Sequence, residues 1–344
     1  MKALVLTQYK KLDYLEVDTP ELCGARELLV RVKAAAVCGS DVHGFDGSTG
    51  RRKPPVIMGH EASAEVVETG KEVSAFKRGD RITFDSTIYC GECYFCRAGQ
   101  VNLCDNRRVL GVSCDEYKRD GVFAEYAVVP DHICYALPDA LSFEEAALTE
   151  PAAVAAHAIR ITPLSLNENA AVVGAGLIGL LVLQCLRPSV SGKIIALDTE
   201  SSRREAALEA GADFAFDPRE PDTLPKIREL TGGRGVDRAF EAVGAAAPVE
   251  TAIAITRKGG SVTLIGNISP KIEIPLQSVV TRQISLFGSC AIAGEYPIVL
   301  DMMARKKLDV RRLISRTAPL CEGQIWFDKL YKREDNLLKV VLIP

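Results

Sequence analysis

Four cysteines lie close together in the chain, at a spacing that suits a metal ion. The run is Cys90-x2-Cys93-x2-Cys96-x7-Cys104, and four thiolates at this spacing can close on one Zn²⁺ as a complete tetrahedral site. An iron–sulfur cluster or free thiols are the alternatives, but comparable cluster motifs carry proline after the last cysteine, where this chain has Asp105. The spacing therefore predicts a structural zinc that fixes the polar lobe of residues 89–106 and leaves no position open for chemistry.

Four further side chains could bind a second metal ion, namely Cys38, His60, Glu61 and Glu150. Three protein ligands with an open position for water or substrate form the usual arrangement of a catalytic zinc. These residues are far apart in the sequence, so their spacing does not prove that they meet. Each also has an ordinary structural interpretation, as a core thiol, a buried imidazole, a surface acid or a helix cap. The residues alone leave both interpretations open.

A glycine-rich turn marks a candidate nucleotide site. The apolar run Ala170–Val173 leads into Gly174-x-Gly176-x-x-Gly179, and a second apolar run follows. This pattern predicts a buried strand, a tight turn and a helix whose N-terminus can bind a pyrophosphate, with a plain strand–turn–helix as the alternative. A second short strand, 193–198, ends in Asp198 at about the spacing expected of a ribose-binding acid. The predicted cofactor contacts are Gly174, Gly176, Leu177, Ile178, Gly179, Asp198, Arg203, Val243 and Ile265.

The residues around Asp198 predict which dinucleotide binds. Its carboxylate would accept both ribose hydroxyls and repel a 2′-phosphate, which favours NAD over NADP. Arg203 and Arg204 follow shortly afterwards and could accommodate a phosphate, which softens that preference. Val243 and Ile265 end two later strands, where ligands of open parallel sheets bind.

The pattern of strands and helices predicts an α/β protein with two domains. From Ala170 onward six short strands alternate with helical segments, which predicts a parallel, doubly wound Rossmann sheet within residues 156–291. Residues 1–155 read as a β-rich domain with a helix from Phe143 to Ile159, capped by Ser142 and interrupted at Glu150-Pro151. Residues 292–344 are expected to complete that domain, because Lys339–Ile343 reads as a strand with no partner in a finished six-stranded sheet.

Composition excludes several classes of protein. The 344-residue chain is 47% hydrophobic and carries a net charge of −3, which argues against a nucleic acid or an anionic membrane as partner. A zinc-ribbon module for nucleic acid would need a basic surface around the four cysteines, and the charges there are balanced. Eleven cysteines without a visible signal peptide indicate metal ligation rather than disulfides, and a cytoplasmic protein.

These motifs together resemble the zinc-dependent medium-chain dehydrogenases, and among them the sorbitol and galactitol-1-phosphate dehydrogenase group. Cys38-Gly-Ser-Asp-Val-His43 is similar to the polyol-dehydrogenase form of the first ligand motif, and Gly59-His60-Glu61 matches the zinc signature. Thr149-Glu150-Pro151 resembles the polyol branch, where Glu replaces the Cys of liver-type alcohol dehydrogenases. The similarity covers essentially the whole chain. It implies a GroES-like catalytic domain, two zinc ions per subunit, one catalytic and one structural, and NAD.

The resemblance also implies roles for residues near the predicted catalytic zinc. Zinc would act as a Lewis acid on the substrate hydroxyl before hydride passes to the nicotinamide. Glu61 is the implied third ligand, and Glu150 either binds directly or holds the zinc water; the sequence leaves the two open. Ser40 would take the hydroxyl proton and His43 would pass it to solvent. Asp41 is expected to hydrogen-bond the zinc-binding histidine and fix its orientation.

Several residues bear on the substrate. Ala64 replaces the Gly usual in the zinc signature, without touching the ligands. Ala291 falls where sorbitol dehydrogenases carry an Arg that contacts the polyol, which argues against sorbitol itself. The cluster Arg51–Lys53 could bind a substrate phosphate, although a solvated charge run is the ordinary interpretation. Cys114 falls in a loop that could face the substrate.

We therefore expect an NAD-linked zinc enzyme that oxidises a secondary hydroxyl of a polyol or sugar alcohol, free or phosphorylated, to a ketone. L-Threonine or a simple secondary alcohol is the alternative substrate for the same chemistry. A non-catalytic nucleotide-sensing protein is the alternative of another class, although the ligand candidates and the relay pair are all present. The resemblance implies a homodimer or homotetramer, joined through the sheet edge near Ile284–Cys290.

Overall fold

The computed structural model describes residues 1–113 and 119–344, so the candidate substrate-loop residue Cys114 lies outside the described residues. The chain divides into two units, Met1–Glu150 with Ile292–Pro344, and Pro151–Ala291. The sequence places the first boundary at 155/156, slightly later than this division, and the second at 291/292. Among the described residues, no helix has the length and apolar character that crossing a membrane requires.

The first unit is built largely of short strands around one long strand. Its strands up to residue 150 are β1 (Lys2–Gln8), β2 (Lys11–Glu16), β3 (Glu27–Ala36), β4 (Val56–Ile57), β5 (Glu61–Thr69), β6 (Arg81–Phe84), β7 (Thr87–Ile88), β8 (Arg108–Val109), β9 (Tyr126–Pro130) and β10 (Cys134–Ala136). Its helices are α1 (Gly39–Gly44), α2 (Tyr94–Arg97), α3 (Phe143–Ala147) and α4 (Thr149–Ile161), the last of which continues past the division between the units.

Strand β3 organises this unit because it pairs with three other strands. It runs antiparallel to β5 and β9, and its inward residues Leu28, Val30 and Val32 are buried while Arg31 is exposed. This alternation is the period-two pattern of a strand with one face in the core. The register pairs Ala36 with Glu61, so the segment that follows β3 lies beside the start of β5.

Helices α3 and α4 partly confirm the expected helix. The capping box is confirmed: the Ser142 hydroxyl accepts from the Glu145 backbone N–H, and the Glu145 carboxylate accepts from the Ser142 N–H. The interruption expected at Glu150-Pro151 is wrong, because the break lies at Leu148. Pro151 lies in the first turn of α4, where the missing N–H would have no partner within the helix anyway.

The second unit is a six-stranded parallel sheet with helices between its strands, as the sequence predicts. Its elements are β11 (Ala170–Val173), α5 (Leu177–Leu186), β12 (Ile194–Leu197), α6 (Ser201–Glu209), β13 (Phe214–Phe216), α7 (Thr223–Leu230), β14 (Val236–Glu241), α8 (Ala246–Ile255), β15 (Thr256–Leu264), α9 (Leu276–Thr281) and β16 (Ser285–Gly288). The strand order is β13-β12-β11-β14-β15-β16, so the order reverses beside β11, and ligands of such sheets bind at that point.

The remaining residues return to the first unit. They form α10 (Tyr296–Ala304), β17 (Ile314–Pro319), α11 (Gly323–Lys332) and β18 (Lys339–Ile343). Strand β18 pairs antiparallel with the end of β3 and parallel with β17. The expectation that Lys339–Ile343 folds back on the first unit is confirmed.

Candidate metal centres and nucleotide site

The end of β3 and the start of β5 bring three metal-binding side chains together. Cys38 caps the N-terminus of α1, while His60 and Glu61 stand at the start of β5. The Cys38 sulfur, a ring nitrogen of His60 and a carboxylate oxygen of Glu61 all lie within 4.8 Å of one another. Soft and hard donors in this combination suit a zinc ion with an open coordination position. His60 and Glu61 are buried, and Cys38 is partly exposed, which leaves that side of the group accessible.

Glu61 has a second partner that the sequence analysis missed. Lys339, at the start of β18, donates to both carboxylate oxygens of Glu61 at 2.9 and 2.6 Å and to the Val37 carbonyl at 3.0 Å. Both charged side chains are almost completely buried, at 1% and 0% exposure. Burial lowers the pKa of Lys339, but the charge of Glu61 outweighs it and the pKa is raised. A metal at Glu61 would therefore share the carboxylate with a lysine.

Asp41 carries a buried ion pair that differs from the expected contact. Its Oδ1 accepts a 2.9 Å hydrogen bond from Arg52, whose side chain is 4% exposed. The Nδ1 atom of His60 lies 3.4 Å from the same oxygen but has no hydrogen-bond partner among the described residues. His60 Nδ1 therefore faces Asp41 as expected, but the contact does not have the geometry of a hydrogen bond. Burial opposes ionisation of Asp41, yet His60 and Arg52 outweigh it and hold its pKa well below the usual range.

The same contact corrects the interpretation of the basic cluster. Arg52 is buried and paired with Asp41, so the interpretation of the cluster as a solvated charge run is wrong for Arg52, while binding of a substrate phosphate stays a hypothesis. Arg51 and Lys53 are exposed. Lys53 is held through its backbone, which exchanges hydrogen bonds with the Ser113 hydroxyl.

Ser40 lies at the edge of the metal-binding group. Its Oγ is 3.3 Å from the Cys38 sulfur and 3.5 Å from His60 Nε2, and the side chain is exposed. His43 lies in the last turn of α1, one helical turn after Ser40, and is partly buried. A hydroxyl and an imidazole at this spacing on a helix lie on the same face.

Glu150 lies near the metal-binding group without belonging to it. It is buried at the start of α4, and its Oε1 accepts a 3.2 Å hydrogen bond from Ser86. Burial and the charge of Glu61 raise its pKa to about 7, against the opposing effect of His60. Asp85 is a further buried carboxyl here, and burial raises its pKa to about 7.

The four cysteines of the predicted lobe converge. Their sulfur atoms all lie within 4.8 Å of one another, and the Cys90 backbone N–H donates to Cys104 at 3.3 Å. Backbone N–H groups of Glu92 and Cys93 donate to the Cys90 sulfur and lower its pKa. Such donors stabilise the thiolate of Cys90. Burial raises the pKa of Cys96 and Cys104, so a metal bound by all four sulfurs would have to displace protons from those two.

The glycine turn follows β11 at the switch point of the sheet. Gly174 has a φ of +93°, and a Cβ on Gly179 would overlap the carbonyl oxygen of Gly174. Both positions therefore require glycine. Gly176 caps α5, and Leu177 and Ile178 in the first turn are only partly buried, whereas most of the later residues of that helix are buried. Free N–H groups at this helix start can bind a pyrophosphate.

Asp198 directly follows β12 and its carboxylate is held by two backbone groups. Oδ2 accepts from the Ala175 N–H at 2.8 Å and Oδ1 accepts from the Glu200 N–H at 3.0 Å. The first of these contacts ties the acid to the glycine turn. Arg203 approaches Oδ2 to 4.0 Å.

Val243 and Ile265 lie at the carboxyl ends of β14 and β15, as expected. The buried Glu241, which sequence analysis missed, accepts hydrogen bonds from the Val243 and Gly244 N–H groups at 2.8 Å. Its backbone carbonyl accepts from Ile265 at 2.8 Å. An acidic residue shortly before the Val243-Gly244 turn was the available signal.

Comparisons with known proteins agree with this arrangement. Residues 24–139 match the alcohol dehydrogenase GroES-like domain, and residues 178–305 match the zinc-binding dehydrogenase domain. The chain is 32% identical over 349 residues to a sorbitol dehydrogenase of Bacillus subtilis, covering 100% of this chain and 97% of that protein. It is 32% identical over 339 residues to a D-arabitol-phosphate dehydrogenase of Enterococcus avium, covering 97% and 94%.

A solved structure shows the same fold. It is a zinc-binding dehydrogenase of Sinorhizobium meliloti bound to NADP, with a TM-score of 0.90, 32% identity and coverage of 100% of this chain and 99% of that one. Similarity at this level over the full chain shows common membership of one family. The chain belongs to the zinc-dependent medium-chain dehydrogenases of the polyol dehydrogenase type.

Proposed function

We propose that the protein oxidises a secondary hydroxyl of a polyol, free or phosphorylated, to a ketone and transfers the hydride to NAD. The observation that carries this proposal is the group of Cys38, His60 and Glu61, whose ligand atoms lie within 4.8 Å of one another. The glycine turn and Asp198 in the second unit support a dinucleotide as hydride acceptor. The reaction converts an alcohol and NAD⁺ into a ketone, NADH and a proton.

Cys38, His60 and Glu61 would hold the catalytic zinc, and the four cysteines of the lobe would hold the structural one. When bound, the catalytic ion would supply Lewis-acid polarisation of the substrate hydroxyl. Glu61 is the third ligand in this proposal because its carboxylate lies in the group, whereas Glu150 is bonded to Ser86. Lys339 neutralises part of the charge that two anionic side chains, Cys38 and Glu61, would place around the ion.

Ser40 is the proposed acceptor of the hydroxyl proton. Its exposed Oγ lies within 3.5 Å of two proposed zinc ligands, so a hydroxyl brought to the open position would meet it. His43, one turn along α1, is proposed to pass the proton on to solvent. Asp41 faces the Nδ1 atom of His60 and is itself paired with Arg52.

The two relatives described above act on sorbitol and on a phosphorylated arabitol, according to their names, which supports a polyol as substrate. Ala291 replaces the arginine expected of a sorbitol enzyme, so we place a polyol other than sorbitol first. We also place the protein in the cytoplasm, where thiols of the kind that bind both metals stay reduced.

The test is NAD⁺ reduction by the zinc-loaded protein with free polyols, phosphorylated polyols, L-threonine and simple secondary alcohols. We expect turnover confined to one class of polyol. The Cys38→Ala variant should retain the fold and the structural zinc and lose turnover; full activity in that variant would contradict the zinc mechanism. Turnover of threonine or simple alcohols alone would move the assignment to those substrates. No turnover with any of them would favour a nucleotide-sensing protein.

We also propose a homodimer or homotetramer joined through strand β16, one of the two edge strands of the parallel sheet. Leu276 and Val280 on the neighbouring helix α9 are 63% and 68% exposed, an unusual position for large apolar side chains. Light scattering of the purified protein should give twice the mass of one chain or a multiple of that. A monomeric mass would contradict this assembly.

A further inference from the structure

Three arginines and two aspartates meet where β12 and β13 end, around the proposed ribose-binding acid. Asp198 follows β12, and Asp217 follows β13. Arg203 and Arg204 belong to α6, while Arg219 lies two residues after Asp217. The sequence analysis considered the first two arginines only as residues that could accept a 2′-phosphate.

The contacts divide these arginines into two groups. Arg204 donates to the carbonyl oxygens of Asp198 and Thr199, both at 2.9 Å, and lies 3.5 Å from the Asp217 carboxylate. Arg219 donates to both oxygens of Asp217, at 3.0 and 2.6 Å, and to the Thr199 carbonyl at 2.8 Å. Arg203 is the exception, since it approaches Asp198 only to 4.0 Å.

The Asp217 carboxylate therefore pairs with two guanidinium groups, those of Arg204 and Arg219, beside the proposed ribose site. Its side chain is 11% exposed, so water competes little for its oxygens. Hydrogen bonds from Arg219, together with its charge and that of Arg204, lower the pKa of Asp217 to about 2. This lowered pKa keeps Asp217 ionised near neutral pH, and its pair with Arg219 lies at the surface, where the arginine side chain is 66% exposed.

We propose that Asp217 is a specificity-determining residue for the cofactor, because it holds Arg204 and Arg219 in ion pairs that deny both to the 2′-phosphate of NADP. This inference rests on the proposed dinucleotide function. Asp198 supplies the repulsion of a phosphate in the same site, and Asp217 removes the attraction that nearby arginines would otherwise supply. Discrimination between NAD and NADP thus depends on two aspartates: Asp198 repels the 2′-phosphate, and Asp217 pairs with the arginines that would attract it.

The chemistry of arginine explains why this restraint matters. A guanidinium presents a planar fork of donors that matches a phosphate in two parallel hydrogen bonds. A free arginine beside a ribose 2′ position is accordingly a strong phosphate site. Arg219 gives Nε and one Nη2 donor to Asp217 and the other Nη2 donor to the Thr199 carbonyl, so neither fork that includes Nη2 is free for a phosphate.

The test compares the affinities of the zinc-loaded protein for NAD⁺ and NADP⁺ by titration calorimetry, without substrate. In the wild type the Arg219 backbone N–H donates a 2.9 Å hydrogen bond to Asp217 Oδ1. Asp217→Asn keeps an oxygen that can accept this bond and removes the negative charge of the side chain. We expect NADP⁺ to bind roughly three- to tenfold more tightly to this variant, as gained charge pairs near a surface predict. NAD⁺ affinity should change by no more than about twofold, because its ribose carries no phosphate.

Two further variants separate the proposed effect on NADP⁺ affinity from a general effect of removing a negative charge near the surface. Asp222→Asn removes the same charge from the start of α7, where the aspartate pairs with Lys226, and should leave both affinities unchanged. Asp217→Asn combined with Arg219→Gln should return NADP⁺ affinity toward that of the wild type. Equal weakening of both dinucleotides by Asp217→Asn, or an unchanged NADP⁺ affinity, would overturn the inference. Wild-type protein that binds neither dinucleotide would instead overturn the proposed function.

Discussion

Replacing Lys339 with Met should destabilise the first unit strongly, because it leaves the Glu61 carboxylate buried without its cation. Lys339 makes two short hydrogen bonds to Glu61 and one to Val37, and both charged side chains are at most 1% exposed. Removing one member of a buried ion pair costs about 3–5 kcal/mol. For a unit of this size, that loss corresponds to a drop in Tm of roughly 10 °C.

Thermal unfolding of the zinc-loaded and the chelator-treated protein measures this effect. The drop in Tm should be smaller in the zinc-loaded variant, because a cation at Glu61 replaces part of the charge that Lys339 supplied. Combining Lys339→Met with Glu61→Gln removes both charges and should recover most of the stability. The coupling between the two sites should reach roughly 2 kcal/mol in a double-mutant cycle.

The matched control is Lys2→Met, which removes a lysine from an exposed pair with Glu16. It should leave Tm unchanged within error, since surface ion pairs contribute little. Two results would refute the reasoning. One is a Lys339→Met protein as stable as the Lys2→Met protein; the other is a double variant no more stable than Lys339→Met alone.

Three further variants test other parts of the structure. Asp85→Asn should be more stable than the wild type at pH 8 by on the order of 4 kcal/mol and nearly equal to it at pH 4, because burial raises the folded-state pKa of Asp85 to about 7. Urea unfolding at both pH values measures this difference, and a difference that does not change with pH would contradict the reasoning. Cys93→Ser should lower bound zinc from two ions per subunit to one and lower Tm; a full metal content would exclude Cys93 as a ligand. Asp198→Ala should weaken NAD⁺ binding and reduce the difference between the NAD⁺ and NADP⁺ affinities measured by calorimetry. An unchanged ratio of the two affinities would mean that Asp198 does not face the ribose.

Local patterns carried most of what the sequence could predict. The four cysteines of the lobe lie within one short segment, so their spacing alone constrains their geometry. The glycine turn and the strand ending at Asp198 belong to one strand–helix–strand unit, which folds in a known way. Strand β18 was predicted from its apolar residues. These features need little knowledge of distant contacts.

The missed residues depend on distant pairing. Lys339 precedes an apolar run and would ordinarily be expected to reach solvent; only the pairing of β18 with the end of β3 places it against Glu61. Arg52 stands between two other basic residues and looked like part of a solvated run, yet it pairs inside the unit with Asp41. Charges of this kind are buried only because a partner is present, and the partner cannot be identified from composition.

The pair formed by Glu61 and Lys339 joins positions 278 residues apart in the chain, and the whole second unit lies between them. During synthesis, residues 151–291 leave the ribosome before Lys339 does, so the parallel sheet can form while Glu61 still lacks its cation. The first unit reaches its final charge balance only when β18 arrives. A chain interrupted before Lys339 would therefore carry the Glu61 carboxylate without its cation, and its first unit would be less stable than that of the full chain.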